Sequence, residues 1–336
     1  MTMSRRRMKI KILFVYYRLS SFVRCDLEIL KKHFDVKNLQ IPTFRNPLNI
    51  LRLFVGVIHA DLVYTWFAGT NAFFIVLFSI LLRKKSVVVL GGYEVAYLPE
   101  IGYGSLLSPF GRVKVKFVLR NATKVLAVSK STFKEALRFT QPRRISVVYN
   151  GVDVEKFRSS GRKENLVVTV AYSISERTIN LKGLDTFVRA SAYLPNVQFI
   201  LVGKYDDVSI ALLKKMASSN VTFAGYVPHD FMPDFYGKAK VYCQLSAHES
   251  FGVALAEAMA CGCVPVVTDK YAIPEVVGDT GFYVPYGDPK TIADVIRRAL
   301  KSNKGKLARE RIKKHFSLMA RKQKLIKEII SLFKEV

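Results

Sequence analysis

Two glutamates eight residues apart, Glu249 and Glu257, bracket the run Ser250-Phe251-Gly252-Val253, and that spacing is suited to binding a charged ligand. A strand candidate ends near Gln244, a loop carries Glu249, and Gly252 opens an apolar helix that runs to Gly262. A glycine at a helix start leaves backbone N–H groups unpaired at the positive end of the helix dipole, where an anion can sit. Glu249 comes just before that seat, and Glu257 lies about a turn and a half into the helix. Carboxylates on either side of an anion seat suit a diphosphate that carries hydroxyl groups at both ends. A nucleotide sugar has that form, with ribose at one end and a hexose at the other. Each hydrogen bond from a hydroxyl to an ionised carboxylate contributes about 1.5–3 kcal/mol.

Positioning these groups falls to alternating strands and helices. In the first half the strand candidates are 10–16, 62–66, 86–90, 124–128 and 145–149, separated by helical segments at 23–33, 72–82, 106–120 and 130–139. A polar stretch, 154–165, reads as the best linker. The pattern then restarts with strands at 166–171, 197–203, 221–224, 241–244 and 264–268, Gly203 closing the second of these and Gly225 following the third. Such alternation predicts parallel α/β layers, and two doubly wound sheets in succession imply a ligand cleft between them. The expected fold class is α/β, with Rossmann-like domains at 1–158 and 159–303. A basic amphipathic C-terminal helix, 304–336, places Ile312, Phe316, Met319, Ile326, Ile330 and Phe333 at helical spacing.

With E-x7-E around Ser-Phe-Gly, then A-C-G-x2-P-V-V at 260–267 and I-P-E-V-V at 273–277, the chain resembles the retaining family-four glycosyltransferases of GT-B fold, the glycosyl transferases of group 1. The resemblance implies that Glu249 meets the donor hexose and Glu257 the ribose. It also implies that Ser250 and the amides around Phe251, Gly252 and Val253 meet sugar and diphosphate. Asn150-Gly151-Val152-Asp153 looks like the family's turn at the end of the first domain. The stretch 221–228 (VTFAGYVP) looks like the strand and loop lining the nucleotide base, which brings in Tyr226 and Val227, with Gly203 on the donor side. Lys182-Gly183-Leu184-Asp185 matches a family motif whose lysine holds the donor diphosphate, and Arg177 stands at the offset of a second cation. Tyr172-Ser173 and a longer loop replace the family's Gly-Arg after the preceding strand. Both cations would offset charge building on the leaving diphosphate.

On the acceptor side, Leu90-Gly91-Gly92-Tyr93-Glu94 stands where the family often carries Leu-His-Gly-x-Asp. The usual histidine is Gly91, and no histidine lies between His59 and His229. Gly91, Gly92 and Tyr93 are assigned to the acceptor side. Glu94 orients an acceptor hydroxyl or else forms a structural ion pair. Arg18–Ser21 replaces the glycine-rich loop that many relatives carry after the first strand, and nothing is assigned there.

The net charge is +27, and it is unevenly spread. Residues 1–165 hold 29 Lys and Arg against 10 Asp and Glu, whereas residues 166–300 hold 12 against 13. The half assigned to the nucleotide is neutral, and the first half calls for an anionic partner. The basic amphipathic segment 105–124 fits an anionic membrane surface, with a lipid or lipid-linked acceptor. Residues 62–82 carry no charge over 21 positions and could span a bilayer, but Gly69-Thr70-Asn71 reads as a strand-to-helix turn within them. At the N-terminus, residues 9–17 after Arg5, Arg6 and Arg7 are too short for a signal-peptide core and suit a first buried strand. The four cysteines lack zinc or disulfide spacing, and Cys261 and Cys263 read as small buried residues in a reducing compartment.

A nucleic-acid partner is excluded, because the basic residues are not interleaved with aromatics in an RNA-binding pattern. No D-x-D metal motif and no lysine site for pyridoxal phosphate is present, so no cofactor is expected beside the nucleotide-sugar co-substrate. The reading is a retaining, metal-independent hexosyltransferase, cytoplasmic and peripheral on the inner face of the membrane. A degenerate relative that binds nucleotide sugar without turning it over is the alternative.

Overall fold

The computed structural model describes residues 8–44, 46–159, 161–205 and 207–334, so Arg5, Arg6 and Arg7 lie outside the described residues. The chain forms two compact units. One takes the chain up to Pro99, Tyr103–Tyr149 and the tail from Arg321 onward; the other takes Glu100–Gly102 and Asn150–Ala320. The division therefore falls ahead of the polar stretch 154–165, and the C-terminal tail is shared between the units instead of forming a separate helix.

The first unit is built on β1 (Met8–Tyr16), β2 (Phe34–Gln40), β3 (Leu62–Trp66), β4 (Lys85–Leu90), β5 (Lys124–Ala127) and β6 (Ile145–Val147). Their order is β2-β1-β3-β4-β5-β6, with every pair parallel. Both faces are covered, so β3 is buried along its whole length and its sequence is nearly all apolar. The uncharged segment 62–82 thus resolves into β3, a turn and the helix Thr70–Leu81. No helix among the described residues is long and apolar enough to cross a membrane. A helix at Pro47–Ile58 was not foreseen; Asn46 caps it by accepting the Leu48 N–H at 3.0 Å, and proline begins its first turn.

The tail forms two helices, Lys304–His315 and Leu318–Ser331, not one. The break comes where Val152 takes over the backbone pairing. Its N–H donates to the Phe316 carbonyl at 2.8 Å, and its carbonyl accepts from Leu318 at 2.9 Å. The last helix buries Arg321, Leu325, Glu328 and Ile329, one position before the expected Ile326 and Ile330. Arg321, 3% exposed, meets the fully buried Asp26 through Nε at 2.6 Å and Nη2 at 2.7 Å. Its Nη1 donates to the carbonyls of Val148 and Tyr149. Asp26 also accepts from the Tyr64 hydroxyl at 2.6 Å and the Trp66 indole N–H at 2.9 Å. Burial opposes the Arg321 charge, but the Asp26 carboxylate more than offsets this and holds the guanidinium pKa above its usual value.

The second unit contains β7 (Glu164–Ile174), β8 (Gln198–Tyr205), β9 (Val221–Gly225), β10 (Ala239–Gln244), β11 (Val264–Thr268) and β12 (Phe282–Val284). The order is β12-β11-β10-β7-β8-β9, again parallel throughout. The chain builds outward from β7 to β9, then restarts with β10 on the other side of β7. Ligands of such sheets bind beyond the carboxyl ends of the strands at that switch point. The supposed linker is partly anchored here. Phe157 is buried, and the Arg309 guanidinium donates to the carbonyls of Val154, Phe157 and Ala260. The Asp153 carboxylate receives the amides of Glu155 and Lys156, which fixes the turn that opens this unit.

Candidate active site

Beyond the carboxyl ends of β7 and β10, two motifs far apart in sequence meet. Lys182 ends the helix Glu176–Lys182, and its Nζ lies 2.6 Å from Glu249 Oε2 in the loop after β10. Gly183 makes this approach possible. It sits in the left-handed region at φ 61°, and a Cβ there would collide with the Leu245 carbonyl. The Ala247 N–H donates to the Leu181 carbonyl at 2.9 Å, tying the two loops together. Behind Glu249 the Tyr242 hydroxyl donates to Gln244 Oε1, and Gln244 Nε2 donates to Ser246 Oγ at 2.7 Å and to Glu249 Oε2 at 3.2 Å. Lys182 and Gln244 thus meet the same oxygen of the carboxylate.

Gly252 takes φ 85° and ψ 64° and turns the chain into the helix Val253–Ala260, whose first amides face the end of the sheet unpaired by any capping side chain. Phe251 is buried and packs edge-on against Phe316 at 5.6 Å, so only its backbone is available to a ligand. Ser250 is buried too. On that helix Glu257 is 6% exposed, and burial raises its pKa above the ordinary carboxylate value. His229, in the loop after β9, opposes this by a contact of 2.7 Å between its Nε2 and Glu257 Oε1. Sequence reasoning stopped at Tyr226 and Val227 and missed His229; its place in the same loop as the base-lining residues was the available signal. Tyr226 is exposed just after Gly225, which is left-handed at φ 69°, and Val227 is half-buried.

Arg177 stands on the helix that carries Lys182, exposed, with no ion pair or hydrogen bond to another described residue. The longer loop expected before it is absent: β7 extends through Tyr172 and Ser173 to Ile174, and Ser175 caps the helix directly. Gly203 lies buried within β8, and a Cβ there would run into the Ala171 carbonyl of β7. Cys261 and Cys263 are buried as expected, and burial pushes the Cys263 thiol up to about 11.

In the first unit, Glu94 is buried and forms no ion pair with another described residue. It is 3% exposed, and its carboxylate accepts the N–H groups of Ala68 at 3.1 Å, Gly91 at 3.2 Å and Gly92 at 2.8 Å. Burial raises its pKa against the lowering effect of those amides. Glu94 therefore ties the segments that follow β3 and β4 together through these three amides. The missing histidine also has a physical reason. A Cβ on Gly91 would overlap the ring of Phe67, which is 39% exposed, stands beside Trp66 and Phe22, and holds a left-handed φ of 69°. Gly92, at φ 107°, completes the turn, and Tyr93 is exposed against Tyr103.

The carboxylate–lysine pair therefore stands at the switch point beside a glycine-led helix. The family described as glycosyl transferases group 1 matches residues 155–316, and glycosyltransferase family 4 matches residues 26–156. The chain belongs to the group 1, family 4 glycosyltransferases and has the two-domain GT-B architecture of α/β class. It is 30% identical over 175 residues to the gpi3 subunit of phosphatidylinositol N-acetylglucosaminyltransferase from Schizosaccharomyces pombe, covering 48% of this chain but 38% of that protein. It is 27% identical over 277 residues to N-acetyl-alpha-D-glucosaminyl L-malate synthase of Bacillus anthracis, covering 76% and 68% respectively. The chain thus spans less than half of the yeast relative. Among solved structures, Anabaena HepE in complex with UDP and glucose superposes with a TM-score of 0.81 at 20% identity, over 96% of this chain and 100% of that one.

Proposed function

We propose that this chain moves a hexose from a nucleoside diphosphate sugar to a hydroxyl of a lipid or lipid-linked glycan, with retention at the anomeric carbon and without a metal. The observation that carries the reading is the Lys182–Glu249 pair at the β7/β10 switch point, beside the amides that open the helix Val253–Ala260. In the reaction the bond from the anomeric carbon to the diphosphate oxygen breaks, a bond to the acceptor oxygen forms on the same face, and the proton of the acceptor hydroxyl passes to the departing diphosphate oxygen. The diphosphate leaves with extra negative charge, which Lys182, Arg177 and the helix-start amides are placed to offset. Glu249 takes the hexose hydroxyls and Glu257 the ribose hydroxyls, with Tyr226 and Val227 along the base. That Anabaena HepE, a protein of the same fold, is in complex with UDP and glucose supports a nucleotide ligand.

A membrane location is supported by the outer faces of three helices in the first unit. Pro47–Ile58 packs on Thr70–Leu81 through Phe54 and Phe78, and Thr70–Leu81 packs on Pro109–Asn121 through Phe73 and Phe117. Leu48, Leu51, Val55 and Ile58 remain exposed on one stripe, and Phe110 (81% exposed) and Val113 stand on the last helix beside Arg112 and Lys116. Apolar side chains flanked by cations suit an anionic leaflet, here the inner face of the cell membrane. The absence of the acceptor-side histidine and the burial of Glu94 favour one second reading, a protein that binds nucleotide sugar without turnover.

The test is transfer from radiolabelled UDP-, GDP- and ADP-sugars into a host membrane extract. One donor is expected to label the organic phase, and Glu257→Ala to lower that transfer about tenfold or more, as expected for losing hydrogen bonds to a charged group. Label confined to water-soluble product would contradict the lipid acceptor. Donor binding without any transfer would favour the second reading.

A further inference from the structure

We infer that His229 is a positioning residue for the donor nucleotide, which holds Glu257 ionised and turned so that its free oxygen accepts the ribose hydroxyls; this rests on the donor-site reading above. The geometry is specific. His229 Nε2 meets Glu257 Oε1 at 2.7 Å, which leaves Oε2 of a carboxylate that is 6% exposed. The imidazole is itself held by Phe157, with ring centroids 5.3 Å apart, and Phe157 is anchored by Arg309 at its carbonyl. A carboxylate on the second turn of an apolar helix has few other means of remaining charged. Its remaining charged or titratable neighbours are Lys156, which also favours ionisation and is itself paired with Asp230 at 2.5 Å, together with Tyr236, Tyr242 and Cys261.

Burial raises the Glu257 pKa, while the hydrogen bond and charge of His229 pull it down. The sign for ligand binding follows. An ionised Glu257 accepts ribose hydroxyls, so affinity falls as pH drops through its pKa. Without His229 that pKa rises further, and affinity is lost at a higher pH. A histidine that merely filled space would leave the midpoint where it was.

Calorimetric titration with UDP, GDP and ADP tests this, carrying the tightest nucleotide across mildly acid to mildly alkaline pH. His229→Ala is expected to weaken binding about tenfold near neutrality, the loss of one charge-assisted hydrogen bond, and to move the acid-side loss of affinity upward. His229→Gln keeps an N–H donor without the charge and is expected to recover most of the neutral affinity. Variant and wild-type profiles that superimpose, with Glu257→Ala still impaired, would overturn the role of His229 alone. Glu257→Ala binding as tightly as wild type, or no nucleotide bound by wild type, would overturn the donor-site reading and this inference together.

Discussion

Arg321→Met is expected to lower the stability of the first unit by about 3–5 kcal/mol, the loss found when one partner of a buried ion pair is removed. Methionine keeps length and apolar bulk, so little of this comes from packing. The cost arises because Asp26, fully buried, loses two of its four hydrogen-bond donors and its only countercharge there, while the carbonyls of Val148 and Tyr149 lose their donor. Tyr64 and Trp66 cannot replace that charge, because both are neutral donors and burial, together with Asp26, raises the Tyr64 pKa well above its usual value. Trp66 is the single tryptophan of the chain, and it lies against both Asp26 and the Arg321 guanidinium. Its fluorescence during denaturant unfolding therefore reports on this cluster directly. Arg297→Met makes the control, since its pair with Asp294 is half exposed and changes stability by about 0.5 kcal/mol or less. Equal midpoints for the two variants would contradict the assigned role of the Asp26–Arg321 pair.

Lys182→Ala is expected to lower kcat by about 10²–10³, the range seen when a preorganised group facing developing charge is deleted. Lys182 is fixed before substrate arrives, by its ion pair with Glu249, by the left-handed Gly183 after it and by the loop-to-loop bond from Ala247 to Leu181. That fixation is why the effect should appear in turnover more than in donor KM: in the proposed reaction the charge it would meet is largest once the diphosphate is leaving. Arg177→Ala, on an exposed side chain with no partner among the described residues, should cost less. The kinetics are read with the labelled donor that supports transfer. A Lys182→Ala variant with wild-type kcat and a raised KM would recast the lysine as a ground-state binder.

The cluster proposed as the donor site was legible because most of its residues are local in sequence. Glu249, Gly252 and Glu257 belong to one loop and one helix, and Lys182-Gly183 is a single turn whose glycine has a steric reason. Contacts made through space were not legible. His229 reaches Glu257 from a different strand's loop, and Arg321 reaches Asp26 across almost the entire chain. Strand β2 went unseen because its sequence, FDVKNLQ, belongs to a sheet edge and shows little apolar continuity. The same kind of gap explains Glu94. A glutamate after two glycines looks available to an acceptor, yet the turn it belongs to folds its own amides onto the carboxylate. The single C-terminal helix failed for a similar reason, since the break at Phe316 is imposed by Val152, a residue distant in sequence.

The most direct test of the central claim is a crystal structure of the protein grown with UDP, GDP or ADP, whichever binds most tightly. The diphosphate is expected over the amides at the start of the helix Val253–Ala260 and beside Lys182, with the ribose hydroxyls on Glu257 and the base along Tyr226 and Val227. A nucleotide bound elsewhere, or one whose ribose and diphosphate leave Glu257 and Lys182 untouched, would contradict it.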